Sequence, residues 1–189
     1  MVSYDLRYLA AFVEVFEKYL LSNDLYWPPG IRALSGEAPY PSLTPGTALL
    51  ALRRAQFSLT DAREREEWER LKRQFEVTRG QWRIAWEKKA AQDFRARLGL
   101  WSNFLDELRE ASEANVDRYP YEVTRRVQLE LLRPECAALP QAEIGLLAGL
   151  DRLLRAYLSP GAFIWKADLE AAFPKDAFWY LYGILKRNI

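Results

Sequence analysis

The chain contains no histidine. That removes the side chain most used for proton transfer near neutral pH and the commonest metal ligand. Ser-His-Asp and Cys-His catalysis, the H-E-x-x-H zinc site and the E-x-x-H pairs of di-iron bundles go with it. One cysteine, Cys136, can form neither an intramolecular disulfide nor a zinc cage. With no base to activate it, Cys136 reads as a packing residue in a reducing compartment. There is no glycine-rich loop ending in Gly-Lys-Ser or Gly-Lys-Thr and no G-x-G-x-x-G, so the common nucleotide motifs are missing as well.

Charge of one sign is also lacking. Lys and Arg total 27 against 26 Asp and Glu, so a net charge of +1 gives no overall field towards nucleic acid or an anionic membrane. No long apolar run occurs either. The most apolar stretch, Phe178 to Leu185, falls far short of the roughly 20 residues that span a bilayer. Met1 to Leu21 carries Asp5, Arg7, Glu14, Glu17 and Lys18 among its apolar residues, unlike a signal peptide. These features predict a soluble cytoplasmic protein without a membrane partner.

E-x-x-E pairs at Glu14/Glu17, Glu64/Glu67, Glu66/Glu69, Glu107/Glu110 and Glu110/Glu113 place carboxylates together on helix faces, the donor type Mg²⁺ prefers. Arg63, Arg65 and Arg70 interleave with Glu64 to Glu69, so ordinary ion pairs on solvated faces explain the pattern. No catalytic residue, metal site or cofactor is assigned, and the chain is expected not to be an enzyme.

What the chain does have is helix. From Thr60 to Val116 there is no proline, and the glycines are Gly80 and Gly99. At 100° per residue, Trp68, Leu71, Phe75, Trp82, Trp86, Phe94, Leu98, Leu100, Trp101, Phe104, Leu105 and Leu108 fall within an arc of roughly 180°, with Val77 and Ile84 off it. Unbroken, this segment would reach about 85 Å, too long for a compact chain of this size. It either bends or projects to a partner. Residues 68–86 and 94–108 differ in stripe phase by about 90°, and Lys88-Lys89-Ala90-Ala91-Gln92 between them lacks a large apolar side chain. That interval is the first candidate for a joint; Gly80 and Gly99 are the others.

Around it, the first helix buries Leu6, Leu9, Val13, Phe16 and Leu20. A loop crowded with Pro28, Pro29, Pro39, Pro41 and Pro45 follows, anchored by Tyr26, Trp27, Ile31, Leu34 and Tyr40. Thr44-Pro45 opens a helix ending near Ser58, and Thr60 caps the long segment. Helices over 121–132, 140–158, 160–173 and 174–187 complete the pattern, with no strand signal. The fold predicted is therefore all-α, a bundle of six or seven helices built on one very long, straight or kinked helix. It forms a single domain over 1–189, with a sub-boundary near 117–121.

Two functional readings attach to the long segment. Trp82, Trp86, Phe94 and Trp101 can anchor a partner if the aromatic face meets another chain, making the protein a non-enzymatic scaffold that associates with itself or another protein. Charge supports this, because residues 79–97 carry net +4 and residues 101–117 carry net −4, bands that antiparallel copies can match. The alternative is a nucleic-acid or phosphate-binding module using Arg79, Arg83, Lys88, Lys89, Arg95 and Arg97. It is disfavoured because the tryptophans share the core-facing arc. A third reading is a binder of an apolar small molecule, for which aromatic residues at 26–30 and 119–122 can line a recess.

Overall fold

A computed structural model describes residues 3–186, the side chain of 112 excepted. The expected helix ends at Met1 and Arg187 lie outside them. The fold is mostly helical, with helices α1 (Tyr4–Leu21), α2 (Pro45–Ser58), α3 (Ala62–Gln81), α4 (Arg83–Glu110), one-turn α5 (Ser112–Asn115), α6 (Tyr119–Leu132) and α7 (Gln141–Tyr157). No helix among the described residues is long and apolar enough to cross a membrane.

Local chemistry sets the boundaries. Ser3 caps α1 by accepting from the Leu6 N–H. Thr44 caps α2, with Thr47 returning the bond to the Thr44 backbone and Pro45 on the first turn. Asp61, one residue after the expected Thr60, caps α3 by accepting from the Glu64 N–H. Thr60 instead donates its backbone N–H and hydroxyl to the Glu64 carboxylate, at 3.0 and 2.8 Å. Between α1 and α2 the Pro-rich loop is closed at its neck by an antiparallel bridge between Trp27 and Leu43. Arg7 on α1 grips its outer part through Glu37, at 2.5 Å, and the Tyr40 hydroxyl.

The long segment is two helices. The break falls at Trp82, two residues past Gly80, where the backbone adopts φ −110° and ψ 36°. The bend is sharp: Phe75 and Trp86 rings lie 5.3 Å apart edge to face, although a straight helix would separate those residues by about 16 Å along its axis. The interval between Trp86 and Phe94 is continuous helix, as is the helix around Gly99.

The phase step in the stripe has a different cause, because α4 serves two cores. Trp86 belongs to the first, with Phe12, Phe16 and Tyr19 of α1, Ala48, Ala51 and Ala55 of α2, and Trp68, Leu71 and Phe75 of α3. Phe94, Leu98, Trp101, Phe104, Leu105 and Leu108 belong to the second, with residues of α6, α7 and the C-terminal segment. Between Trp86 and Phe94 the apolar face of α4 turns from one core to the other. Helix α2 bridges them, since Leu50 joins the second core and Leu49 touches both.

The C-terminal segment corrects the expected helices over 160–173 and 174–187. Leu158–Phe163 and Tyr182–Leu185 form an antiparallel two-stranded sheet, β1 and β2, with 3₁₀ turns at Ala167–Ala172 and Trp179–Leu181. The physical reason lies in composition: Pro160-Gly161 and Gly183 disfavour helix, while Phe, Trp, Tyr and Ile favour a pleated surface. Gly183 is required where the strands cross, because a Cβ there would stand 2.4 Å from the Ser159 carbonyl oxygen. The segment is tied to the helices by polar groups at the ends of rings. Tyr119 donates its hydroxyl to the Tyr180 carbonyl at 2.5 Å and the Trp165 indole donates to the Pro120 carbonyl at 2.9 Å.

Candidate functional site

The four aromatic residues singled out as partner anchors pack within this chain. Trp86, Phe94 and Trp101 are fully buried, and Trp82 is partly buried against the first core. The Trp86 indole donates to Glu135 at 2.7 Å, so its polar end is satisfied internally too. The six basic residues of the +4 band scatter around α3 and α4. Arg79 pairs with Glu135 at 3.0 Å, Arg83 with Glu87 at 2.7 Å and Arg95 with Glu143 at 2.6 Å. Lys88 faces solvent. Lys89 is buried at the end of α1, donating to Ser22 Oγ and the Asp24 carbonyl and lying 4.6 Å from the Tyr19 ring centre. Burial lowers its pKa. The acidic band is partly neutralised the same way, through Arg118 with Glu107 and Arg109 with Asp106.

Of those six, Arg97 lies deepest in a site shared by several helices. It reaches the seam where α1, α2, α4 and α6 meet. There Asp93, with no exposed surface, accepts from the Gly46 N–H at 2.7 Å and pairs with Arg97 at 2.9 Å. Arg97 also donates to Thr44 Oγ1 at 2.7 Å and to the Gln128 side-chain oxygen. A buried ion pair persists only when its remaining donors and acceptors are bonded, which these contacts provide. Gly46 is glycine for a steric reason: a Cβ would stand 2.7 Å from Arg97 Nε and 2.9 Å from Asp93 Oδ2.

Above this seam opens a cleft of about 570 Å³. Its walls are Tyr4, Asp5 and Tyr8 of α1 with Pro39 and Pro41 of the Pro-rich loop on one side, and Tyr121, Thr124, Arg125 and Gln128 of α6 on the other. Arg54 of α2 closes one end, paired with Asp5 at 2.6 Å. Three guanidinium groups from three helices thus line one recess, together with the hydroxyl-bearing Tyr4, Tyr8, Thr47, Tyr121 and Thr124. Burial pushes the Arg125 pKa down, and repulsion from Arg118 and Arg97 adds to the effect. Each of the three guanidinium groups also holds one carboxylate, Arg54 with Asp5, Arg97 with Asp93 and Arg125 with Glu122. Burial also raises the pKa of Tyr8, well above the ordinary range, so its hydroxyl stays protonated; it donates to Thr47 Oγ1 at 2.6 Å.

The Cys136 thiol is pushed up to about 11, first by burial and then by the nearby Glu135 and Glu143, which leaves it protonated and unreactive at neutral pH. Among the described residues no group of three or more Asp, Glu, His or Cys side chains is placed to hold a metal ion. Comparison with protein-family models, with curated proteins and with solved structures finds no match.

Arg54 and Arg125 escaped the sequence reading although each sits in an Arg-Arg pair, Arg53-Arg54 and Arg125-Arg126. Such a pair on an amphipathic helix places one guanidinium further round than the other. On α6 the inner member, Arg126, is buried against Asp151 and the Tyr180 ring, while Arg125 turns to the cleft. That signal is readable in principle, but only once the buried faces of α2 and α6 are known.

Proposed function

We propose that the protein acts by binding and not by catalysis, and that its ligand is a small anion taken into the cleft between α1, α2 and α6. The observation that carries this reading is the meeting of Arg54, Arg97 and Arg125 in one recess. Guanidinium groups present forked donors that match carboxylate and phosphate oxygens, and a partly desolvated site strengthens each contact. The volume of about 570 Å³ lies within the usual range for ligand clefts. Arg97 is held rigid by Asp93, Thr44 and Gln128, so the floor is pre-organised. Tyr121, 75% exposed at the mouth, offers a ring on which a flat ligand can stack.

A self-associating scaffold would need anchors other than Trp86, Phe94 and Trp101, since those three are buried within the chain. Calorimetric titration with inorganic phosphate, pyrophosphate and adenosine monophosphate at low salt tests the cleft. Binding is expected to weaken as salt rises and to fall at least tenfold in Arg54→Ala and Arg125→Ala. Absence of binding by all three probes, or equal affinity in both variants, overturns the reading.

A further inference from the structure

A second recess, of about 470 Å³, lies on another side of α2, walled by α3, the end of α6 and the C-terminal segment. Its apolar lining is Leu49, Leu52, Trp68, Phe75, Leu131 and Phe178, interspersed with charged residues that include Lys72, whose ammonium lies over the Trp68 ring. Arg53 stands in that lining. Its guanidinium lies 4.8 Å from the Phe178 ring centre and 5.6 Å from that of Phe173, and its Nε donates to the Ala172 carbonyl at 2.5 Å.

What sets Arg53 apart is the missing counter-charge. The other buried or half-buried arginines, Arg7, Arg54, Arg79, Arg97, Arg125 and Arg126, each hold a carboxylate. Among the described residues no carboxylate pairs with Arg53. A half-buried charge in apolar surroundings is costly unless it is paired. Burial accordingly lowers its pKa, with only Tyr180 acting to raise it. The acids of the groove do not fill the role, because Glu135 is bound by Arg79 and Trp86, Glu130 by Arg126, and Glu76 is exposed.

The orientation of the group defines what would complete it. With Nε committed to Ala172 and the plane held by two rings, the donors left over are the paired terminal nitrogens, which match the two oxygens of a carboxylate. Beside them lies apolar surface for a hydrocarbon tail. An extended peptide fits less well, since helix side faces offer no unpaired backbone edge for its amides. We infer that this groove is a second binding site, distinct from the anion cleft, for a small amphiphile with a carboxylate head and an aliphatic tail.

Decanoate, below its micelle concentration, is the probe, titrated into the full chain and followed by calorimetry, with decanol as its uncharged counterpart. Wild type is expected to bind decanoate at least tenfold more tightly than decanol and at least tenfold more tightly than Arg53→Ala does. Because Arg53 also holds the Ala172 turn, a second variant acts by obstruction: Ala177→Trp, on the exposed rim of the groove, is expected to abolish decanoate binding with the circular dichroism spectrum unchanged. No binding by wild type, or equal binding by a folded Arg53→Ala or by Ala177→Trp, overturns the assignment. A concentration-dependent dimer that Arg53→Ala dissolves would put a carboxylate of a second copy in the groove and would also overturn it. The anion cleft is tested with different probes and different arginines, so either site can fail without the other.

Discussion

The two cores are built by different means. In the first, three helices press rings together: Phe16 stacks on Phe75 at 5.0 Å, and both meet Trp86 edge to face, at 5.6 and 5.3 Å. Every member of that cluster sits on a helix or, like Tyr40 and Leu43, on the Pro-rich loop. The second core draws a third of its buried members from the strands and turns of the C-terminal segment, which tyrosine hydroxyls tie down by donating to backbone carbonyls, as with Tyr119 to Tyr180 and Tyr182 to Phe173. Helical period is enough to specify the first kind of core. The second depends on contacts between residues distant in sequence, which a periodic stripe does not encode. Asp93 and Arg97 on α4 lie at the seam, so the coupling of the cores can be tested there.

The largest effect is expected from Trp86→Ala. Removing a fully buried indole that meets two other rings leaves a cavity as well as losing its burial, a cost of about 3–5 kcal/mol. Denaturant unfolding gives the stability, and hydrogen exchange shows where protection is lost. If the cores form one cooperative unit, protection falls in α6 and α7 as well as in α1 and α3. Loss confined to α1 and α3 would show that the seam does not couple them.

Next comes Asp93→Ala, which removes the acceptor of the Gly46 N–H and leaves Arg97 buried without its counter-charge. Breaking a buried pair from one side typically costs about 3 kcal/mol or more. Asp93→Asn keeps an acceptor for Gly46 and is expected to cost less. Equal losses for the two variants would mean that the charge itself contributes little. Both should weaken anion capture in the cleft, because Arg97 loses the group that fixes it.

A smaller effect, about 1–3 kcal/mol, is expected from Gly183→Ala, where the new methyl would meet the Ser159 carbonyl and force the two strands apart. Its signature should stay within the second core: exchange protection lost around 158–163 and 182–185, with α1 and α3 unchanged. Thermal unfolding and hydrogen exchange together check this.

How much of this was legible follows the same division. The stripe of α3 and α4, the Thr44-Pro45 start and the bounds of α7 are local features, and local spacing reports them. The phase step between Trp86 and Phe94 was visible too, but its meaning was not. A bend and a change of packing partner shift a stripe alike, and only the contacts of Trp86 with Phe16 and of Phe94 with the second core separate them. The real bend at Trp82 lies beside Gly80, one of the three places the sequence marked. Helices over 160–173 and 174–187 give way to strands and turns because each is signalled by an opening proline, which suits a helix start and a turn alike, while Gly161 and Gly183 weigh against helix. The cleft was least visible of all. Arg54 and Arg125 lie far apart in the chain, and it is packing around Asp93 that brings them to one recess.

The smallest effect is expected on the outside of the α3–α4 bend, and it bears on the aromatic stripe. Val77 and Ile84 were the two residues off that stripe, and they are 69% and 83% exposed. Single apolar residues at a surface are normal, and replacing them usually changes stability by no more than about 0.5 kcal/mol. Ile84→Ser and Val77→Ser should therefore leave the unfolding midpoint almost unchanged, together with the solution mass measured by light scattering. A second copy seated on the bend would behave otherwise, because burying these side chains would make each substitution lower both the mass and the stability. The comparison is sharp, since Trp86 lies two residues beyond Ile84 and its removal should cost several kcal/mol. Along these few residues of α4, the inward side chain holds a core together while the outward one is dispensable unless a partner covers it.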